Sequence, residues 1–185
     1  DIVERERIDY SSLAPTMATF VMAQPRWRTA DISSLRTLFY GSMAMSAAMA
    51  RELSARVGGL ACGLGQSETT LLITRFSAEE HRAALQGNEA LLASCGRPAL
   101  MAAVKIFDDA MQEVAIGEIG ELCVRGPLVM QGYWNNEAGT RDAFAGDWLH
   151  TGDLARRDED GFIYVVDRKK DMIKTGGQNV YPREL

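Results

Sequence analysis

Leu35-Arg-Thr-Leu-Phe-Tyr40, Ser46-Ala-Ala-Met-Ala-Arg-Glu-Leu-Ser-Ala-Arg-Val57 and Leu60-Ala-Cys-Gly-Leu64 follow one another in the first half of the chain. The first is a short apolar run that stops at Gly41 and reads as a strand. In the second, Ser46 is a candidate N-cap, Ala48, Met49, Leu53 and Val57 recur at helical spacing, and Gly58-Gly59 ends the helix. The third is another short, buried strand. Strand, helix, strand at this spacing predicts a parallel α/β layer. Working outward, Ser12–Gln24 has helical spacing, with Leu13, Met17, Phe20, Val21 and Gln24 near one face and Pro15 in the first turn, where its missing N–H costs little. Ser77-Ala-Glu-Glu80 is a capping-box signature opening a helix to Leu85, which Gly87 closes.

The texture changes near Ser94. Ala102–Phe107, Gly120–Val124, Trp148–Leu149 and Phe162–Val166 read as strands, and Glu137–Phe144 as a short helix. Asp108-Asp109, Gly117, Gly126-Pro127 and Asp158-Glu-Asp-Gly161 supply the turns; the last is a strong hairpin signal, because Asp-Gly takes positive φ easily. Residues 1–93 are therefore expected to be α/β, and 94–169 a β-rich subdomain, a small antiparallel sheet or a partly open barrel.

Composition narrows the function classes. The chain has 185 residues, 46 % apolar and 24 % charged, which excludes disorder, collagen and coiled coil. A formal net charge of −5 gives no reason to expect nucleic acid or an anionic membrane as partner. No apolar run is long enough for a transmembrane helix, and no signal peptide is visible. The chain begins at Asp1 rather than Met, which suggests an internal fragment. Three scattered cysteines, Cys62, Cys95 and Cys123, fit a reducing cytoplasm better than a disulfide framework. His81 and His150 lack metal-ligand spacing to any Cys, and no Gly-x-Ser-x-Gly elbow supports hydrolysis.

Four stretches could carry chemistry. Gly63-Leu-Gly-Gln-Ser-Glu-Thr69 follows a predicted strand, where open α/β sheets bind ligands. Its glycines let backbone approach a ligand, Ser67 offers a hydroxyl, and Glu68 a hard oxygen suited to Mg²⁺. A Gly-rich turn with a surface Glu is the plain alternative. In Trp148-Leu-His-Thr-Gly-Asp153, an Asp at a tight Gly turn could accept hydrogen bonds from a vicinal diol such as ribose, or simply bond its own backbone. Val166-Asp-Arg-Lys-Lys-Asp-Met-Ile-Lys174 and Thr175-Gly-Gly-Gln-Asn-Val-Tyr-Pro182 set basic residues beside a Gly pair, as for a phosphate-bearing ligand, or form a solvated linker. Gly120-Glu-Leu-Cys-Val-Arg-Gly126 through Gln131-Gly-Tyr-Trp134 reads mostly as structure: strand, turn, strand.

In order and spacing these blocks resemble the adenylate-forming (AMP-binding) superfamily, in its acyl-CoA synthetase branch. Gly65-Gln-Ser-Glu68 is similar to that family's aromatic-Gly-x-Thr-Glu motif. The Gly120 and Gly132-Tyr-Trp block resembles Gly-Glu-Leu…Gly-Tyr, Thr151-Gly-Asp153 resembles Thr-Gly-Asp, and Asp167-Arg168 through Pro182 resembles the hinge and the loop after it. Tyr40-Gly-Ser-Met-Ala-Met-Ser46 resembles more loosely the loop beside adenine.

The resemblance implies an ATP-dependent ligase: a carboxylate attacks the α-phosphate, giving acyl-AMP and pyrophosphate, and coenzyme A then takes the acyl group. It implies that Glu68 holds Mg²⁺ and that Ser67, beside Gln66 and Gly65, meets the phosphate oxygens. Asp153 would grip the ribose with Arg168 beside it. Gly41, Ser42, Met43 and Leu64 would line the adenine and acyl end, and Lys170 would be the hinge. Lys174, Gly176 and Gly177 would belong to the loop brought in for thioesterification. Residues 170–185 would then be the hinge and the start of a C-terminal domain. Leu64 stands where the family has an aromatic, keeping an apolar face but not ring stacking. Ser67 replaces Thr and keeps the hydroxyl. The family's upstream phosphate loop and downstream lysine are not in this sequence. The loop at Ile173–Pro182 is of the acyl-CoA synthetase kind, favouring coenzyme A over loading of a carrier protein. A truncated, non-catalytic nucleotide-binding module is the rival of another class.

Overall fold

Strands β1 (Tyr10–Leu13), β2 (Thr37–Tyr40) and β3 (Leu60–Cys62) lie side by side, all parallel, in the order β1-β2-β3. They are seen in a computed structural model that describes residues 2–41, 45–70, 72–175, 178–180 and 182. Helix α1 (Ile2–Glu6) precedes β1, helix α2 (Pro15–Met22) follows it, and α3 (Ala47–Ser54) connects β2 to β3. This is the parallel layer that the strand–helix–strand pattern requires. Ser46 caps α3 by accepting from the Met49 N–H. The Gly58 N–H, just past that helix, donates to Leu35 O at 2.8 Å and turns the chain into β3.

β1 was not expected. Tyr10-Ser-Ser-Leu is too polar to announce a strand; its register against Thr37–Tyr40 comes from a tertiary pairing. The cap of α2 is Ala14, with Pro15 opening the helix, so Ser12 lies in the strand and not at the helix start. The apolar face of α2 also departs from expectation. Pro15 and Ala18 are buried, while Met17, Phe20 and Val21 are 52, 72 and 41 % exposed.

Short strands β4 (Thr74–Arg75) and β5 (Arg97–Pro98) flank helix α4 (Ala78–Gly87). The capping box is formed in full: Ser77 Oγ accepts from the Glu80 N–H at 3.2 Å, and Glu80 Oε2 accepts from the Ser77 N–H at 2.7 Å. One turn on, His81 is buried against Phe76. Its Nδ1 lies 2.9 Å from Ser77 O, a carbonyl that only accepts, so Nδ1 carries the proton and Nε2 accepts from the Tyr40 hydroxyl at 2.7 Å. Burial depresses the His81 pKa below 6.5. The unfolded chain therefore binds the extra proton first, and stability is lost as pH falls below 6.5 toward the folded pKa. We expect the thermal midpoint to fall between pH 7 and pH 5, and His81→Gln to flatten that part of the curve. An unchanged slope in the variant would show that His81 does not set it.

The second sheet is antiparallel. It contains β6 (Ala103–Phe107), β7 (Gly120–Arg125), β8 (Phe144–Ala145), β9 (Trp148–Arg157) and β10 (Ile163–Arg168), with helix α5 (Glu137–Ala143) before β8. Its order is β10-β9-β7-β6, with β8 also on β9. Among the described residues it is an open sheet, so of the two forms expected the antiparallel sheet is the one formed and no closed barrel exists. Asp158 and Gly161 make the expected hairpin: Asp158 Oδ1 accepts from the Phe162 N–H at 2.8 Å, and Gly161 sits at φ +84°. Strands β11 (Ile173–Thr175) and β12 (Gln178–Val180) form a separate antiparallel pair.

The chain divides into two compact units, Asp1–Leu64 with Arg75–Gly96, and Gly65–Thr74 with Arg97–Leu185. The change of texture near Ser94 falls close to this division. Residues 65–74, expected within the first part, pack instead with the second. The reason is a set of polar bonds. Met130 N–H donates to Glu68 O at 2.7 Å, Thr70 Oγ1 donates to Leu128 O at 2.8 Å, and Tyr133 OH donates to Glu68 Oε1 at 2.9 Å.

Candidate functional site

Gly41 follows β2, and Gly63 follows β3. A Cβ on Gly41 would lie 3.9 Å from Gly63 O, so these two turns are neighbours at the carboxyl ends of adjacent parallel strands. Leu64 continues from Gly63 in the same unit. Ser42 and Met43, assigned by resemblance to the adenine and acyl end, lie outside the described residues.

The Gly65–Thr70 segment belongs to the second unit and is wound tightly. Ser67–Thr69 form a single 3-10 turn, opened by Gln66, whose N–H donates to Thr69 Oγ1 at 3.2 Å. Thr70 sits at φ +55°, a left-handed conformation costly for a β-branched residue. Ser67 is exposed and Glu68 half-buried. The Tyr133 hydroxyl bonds one carboxylate oxygen of Glu68 and fixes its direction. Gly132-Tyr133 was read as a strand element. Among the described residues no strand forms after β7 until β8, because 126–136 is a chain of turns, and Tyr133 uses that freedom to reach Glu68. No three His, Cys, Asp or Glu side chains cluster to hold a metal among the described residues. A single hard carboxylate suits Mg²⁺, which takes few protein ligands and completes its shell with phosphate and water. Glu68 fits that role.

Asp153 does not sit in a turn that ends a strand. β9 continues for ten residues, and Asp153 lies inside it, 6 % exposed. The pairings Glu121↔Leu154 and Cys123↔His150 leave three β9 residues, Thr151, Gly152 and Asp153, opposite the single β7 residue Leu122. The expected tight Gly conformation is present, with Gly152 at φ +73°, but it makes a bulge within one strand. Side chains replace the missing ladder bonds. Thr151 Oγ1 donates to Leu122 O at 2.7 Å and accepts from the Asp153 N–H at 3.1 Å. Arg168, paired with Asp153 across β9 and β10, places Nε 2.9 Å from Asp153 Oδ1 and donates through Nη1 to Thr151 O at 3.3 Å. A buried, ion-paired carboxylate on rigid strands has fixed acceptor geometry, which suits a vicinal diol.

The structure therefore joins Asp153 with Arg168, Glu68 with Tyr133, and Gly41 with Gly63. Lys170 is exposed at the turn after β10. Lys174 pairs by its backbone with Asn179, and Gly176 and Gly177 lie outside the described residues.

One group was missed. Glu121, on a strand buried along most of its length, accepts at Oε2 from His150 Nδ1 at 2.9 Å and Lys169 Nζ at 2.8 Å. Burial pushes its carboxyl up, but the bonds and charges of Lys169 and His150 outweigh that and lower it overall. Its signal was a lone Glu in the apolar run Gly-Glu-Leu-Cys-Val.

A family model described as AMP-binding enzyme matches residues 1–134. The medium/long-chain-fatty-acid–CoA ligase FadD8 of Mycobacterium tuberculosis is 45 % identical over 185 residues, covering 100 % of this chain and 31 % of that protein. The structure of the amide bond synthetase McbA from Marinactinospora thermotolerans superposes with TM-score 0.87 at 33 % identity, over 99 % of this chain and 37 % of its own. O-succinylbenzoate coenzyme A synthetase (MenE) from Bacillus subtilis, in complex with ATP and magnesium ion, does so with TM-score 0.83 at 30 % identity, over 99 % and 36 %. The chain thus spans about a third of the length of the proteins it matches.

Proposed function

The chain belongs to the AMP-binding enzyme family, and from that premise we propose that the full-length protein activates a carboxylic acid as acyl-AMP and passes the acyl group to coenzyme A. The observation that carries this reading is the Asp153–Arg168 pair, aimed from adjacent rigid strands and held in the same unit as Glu68. The similarity to a fatty-acid–CoA ligase supports a fatty acid as the substrate class.

In this reading Asp153 accepts hydrogen bonds from the ribose hydroxyls of ATP, and Arg168 holds its carboxylate in place. Ser67 donates to the α-phosphate oxygens. Glu68, directed by Tyr133, would hold Mg²⁺, which would supply charge neutralisation on the phosphates. The substrate carboxylate oxygen bonds to the α-phosphorus while the bond to the pyrophosphate oxygen breaks. The thiol of coenzyme A then loses its proton and displaces AMP at the acyl carbon. Gly41, Ser42, Met43 and Leu64 would line the adenine and acyl end. Gly65 and Gln66 would lie beside Ser67 at the phosphates. Lys170 would be the pivot between the two half-reactions, with Lys174, Gly176 and Gly177 in the loop that admits the pantetheine arm. The free thiols of Cys62, Cys95 and Cys123, two of them buried, support a cytoplasmic setting. No helix among the described residues is long and apolar enough to cross a membrane.

The test is acid-dependent release of pyrophosphate by the full-length protein, followed by AMP release with coenzyme A or with a phosphopantetheinylated carrier protein as acceptor. We expect turnover with coenzyme A. Turnover with the carrier alone would reassign the acceptor, and no acid-dependent pyrophosphate would refute adenylation.

A further inference from the structure

Gly152, at the crown of the bulge, is held from both sides. Its carbonyl accepts from the Lys169 N–H at 2.8 Å, and its N–H donates to Glu121 Oε1 at 3.3 Å. The other Glu121 oxygen takes His150 Nδ1 and Lys169 Nζ, and Lys169 Nζ also lies 3.2 Å from Asp109 Oδ1. One buried carboxylate on β7 thus ties the bulge of β9 to the residue just after β10. The residues it fixes, Gly152 and Lys169, are the immediate neighbours of Asp153 and Arg168.

Resting on the reading of Asp153 as the ribose contact, we infer that Glu121 is a positioning residue for the Asp153–Arg168 pair, setting the angle at which that pair meets the ribose hydroxyls of the nucleotide. The bulge gives this inference its force. Opposite Leu122 three residues have no regular ladder to hold them, and Gly152 takes a left-handed conformation, so side-chain contacts set the course of the bulge. A buried acid with three donors is an expensive arrangement in a strand of apolar neighbours, and hydrophobic residues of similar size would serve the sheet as well. Its geometry is spent on Gly152 and Lys169. The hydrogen bond that Lys169 donates to Glu121 is also the first cause of a raised Lys169 pKa, which keeps the ammonium charged and the clamp closed. Cys123, beside His150 with Sγ 3.7 Å from Nδ1, is pushed up by burial to about 12 and stays a neutral thiol.

The experiment compares binding of AMP and of 2′,3′-dideoxy-AMP to the full-length protein by calorimetry, with the thermal midpoint recorded alongside. The native protein should prefer AMP by about 100-fold, the scale of charge-assisted hydrogen bonds. Asp153→Ala should abolish the preference. Glu121→Gln, which keeps the shape and removes the charge, should cut it about tenfold, since small misplacements of a positioned group are costly. The dideoxy nucleotide should bind Glu121→Gln as it binds the native protein. If Glu121→Gln does not fold, Lys169→Met should reduce the preference in the same direction, measured well below that variant's own thermal midpoint. Full discrimination in a folded Glu121→Gln, or in Lys169→Met where that is the variant measured, would overturn the inference while leaving the ribose assignment standing. Absence of any preference in the native protein, or its survival in Asp153→Ala, would refute the ribose reading itself and the inference with it.

Discussion

Asp153→Ala in the full-length protein is expected to weaken ATP binding by about 100-fold, roughly 2.7 kcal/mol. Hydrogen bonds to a charged acceptor are worth about 1.5–3 kcal/mol each. The substitution also leaves the Arg168 guanidinium without the carboxylate that now sits 2.9 Å from its Nε. That second effect predicts a distinction. Asp153→Asn keeps a hydrogen-bonding oxygen but removes the charge, so it should lose less affinity than Ala. Isothermal titration with ATP measures both. The β7–β9 and β9–β10 pairings on either side of the bulge involve backbone groups, so the variants should remain folded. Unchanged ATP affinity in a folded Asp153→Ala protein would remove Asp153 from the site.

Glu68→Gln should lower the rate of acid-dependent pyrophosphate release by about 100- to 1000-fold, the scale seen when a preorganised electrostatic contact to a developing charge is lost. Because Glu68 O, and not only its side chain, is held by the Met130 N–H at 2.7 Å, the local backbone should survive the change. The loss should be partly recovered by raising Mg²⁺, since the remaining ligands are phosphate and water. Tyr133→Phe removes the 2.9 Å hydroxyl contact while keeping the ring. It should shift the Mg²⁺ dependence in the same direction by a smaller factor, about threefold to tenfold, the worth of one ordinary hydrogen bond. A titration of rate against Mg²⁺ separates the outcomes. An identical Mg²⁺ dependence for native and Glu68→Gln proteins would exclude Glu68 as the metal ligand.

Local signals were legible in the sequence. Ser77 and Glu80 form the capping box their spacing announces, Asp158–Gly161 makes its hairpin, and Ser46 caps its helix, because each needs only a few consecutive residues. The parallel layer was legible for the same reason, through β2, α3 and β3. What escaped depends on partners distant in sequence. β1 is a strand by virtue of β2. The length of β9 was hidden because Gly152 reads as a terminator, whereas β7 and β10 hold the strand on both sides of it. Residues 65–74 join the second unit through Leu128, Met130 and Tyr133, a preference no local pattern encodes. Glu121 stood out as an acid in an apolar run, but its meaning lies in His150 and Lys169, 29 and 48 positions away. The site motifs were visible as blocks; the bonds that aim them were not.

Three residues set against one, at Thr151–Asp153, also make the sheet and the site separable inheritances. Within the bulge, alignment is delegated to side chains, while the flanking residues of β9 keep their backbone pairing with β7 and β10. Exchanging those side chains can re-aim the contact without unzipping the strands that carry it. A scaffold arranged this way lets ligand preference drift while architecture stays put, so one set of strands can host many chemistries.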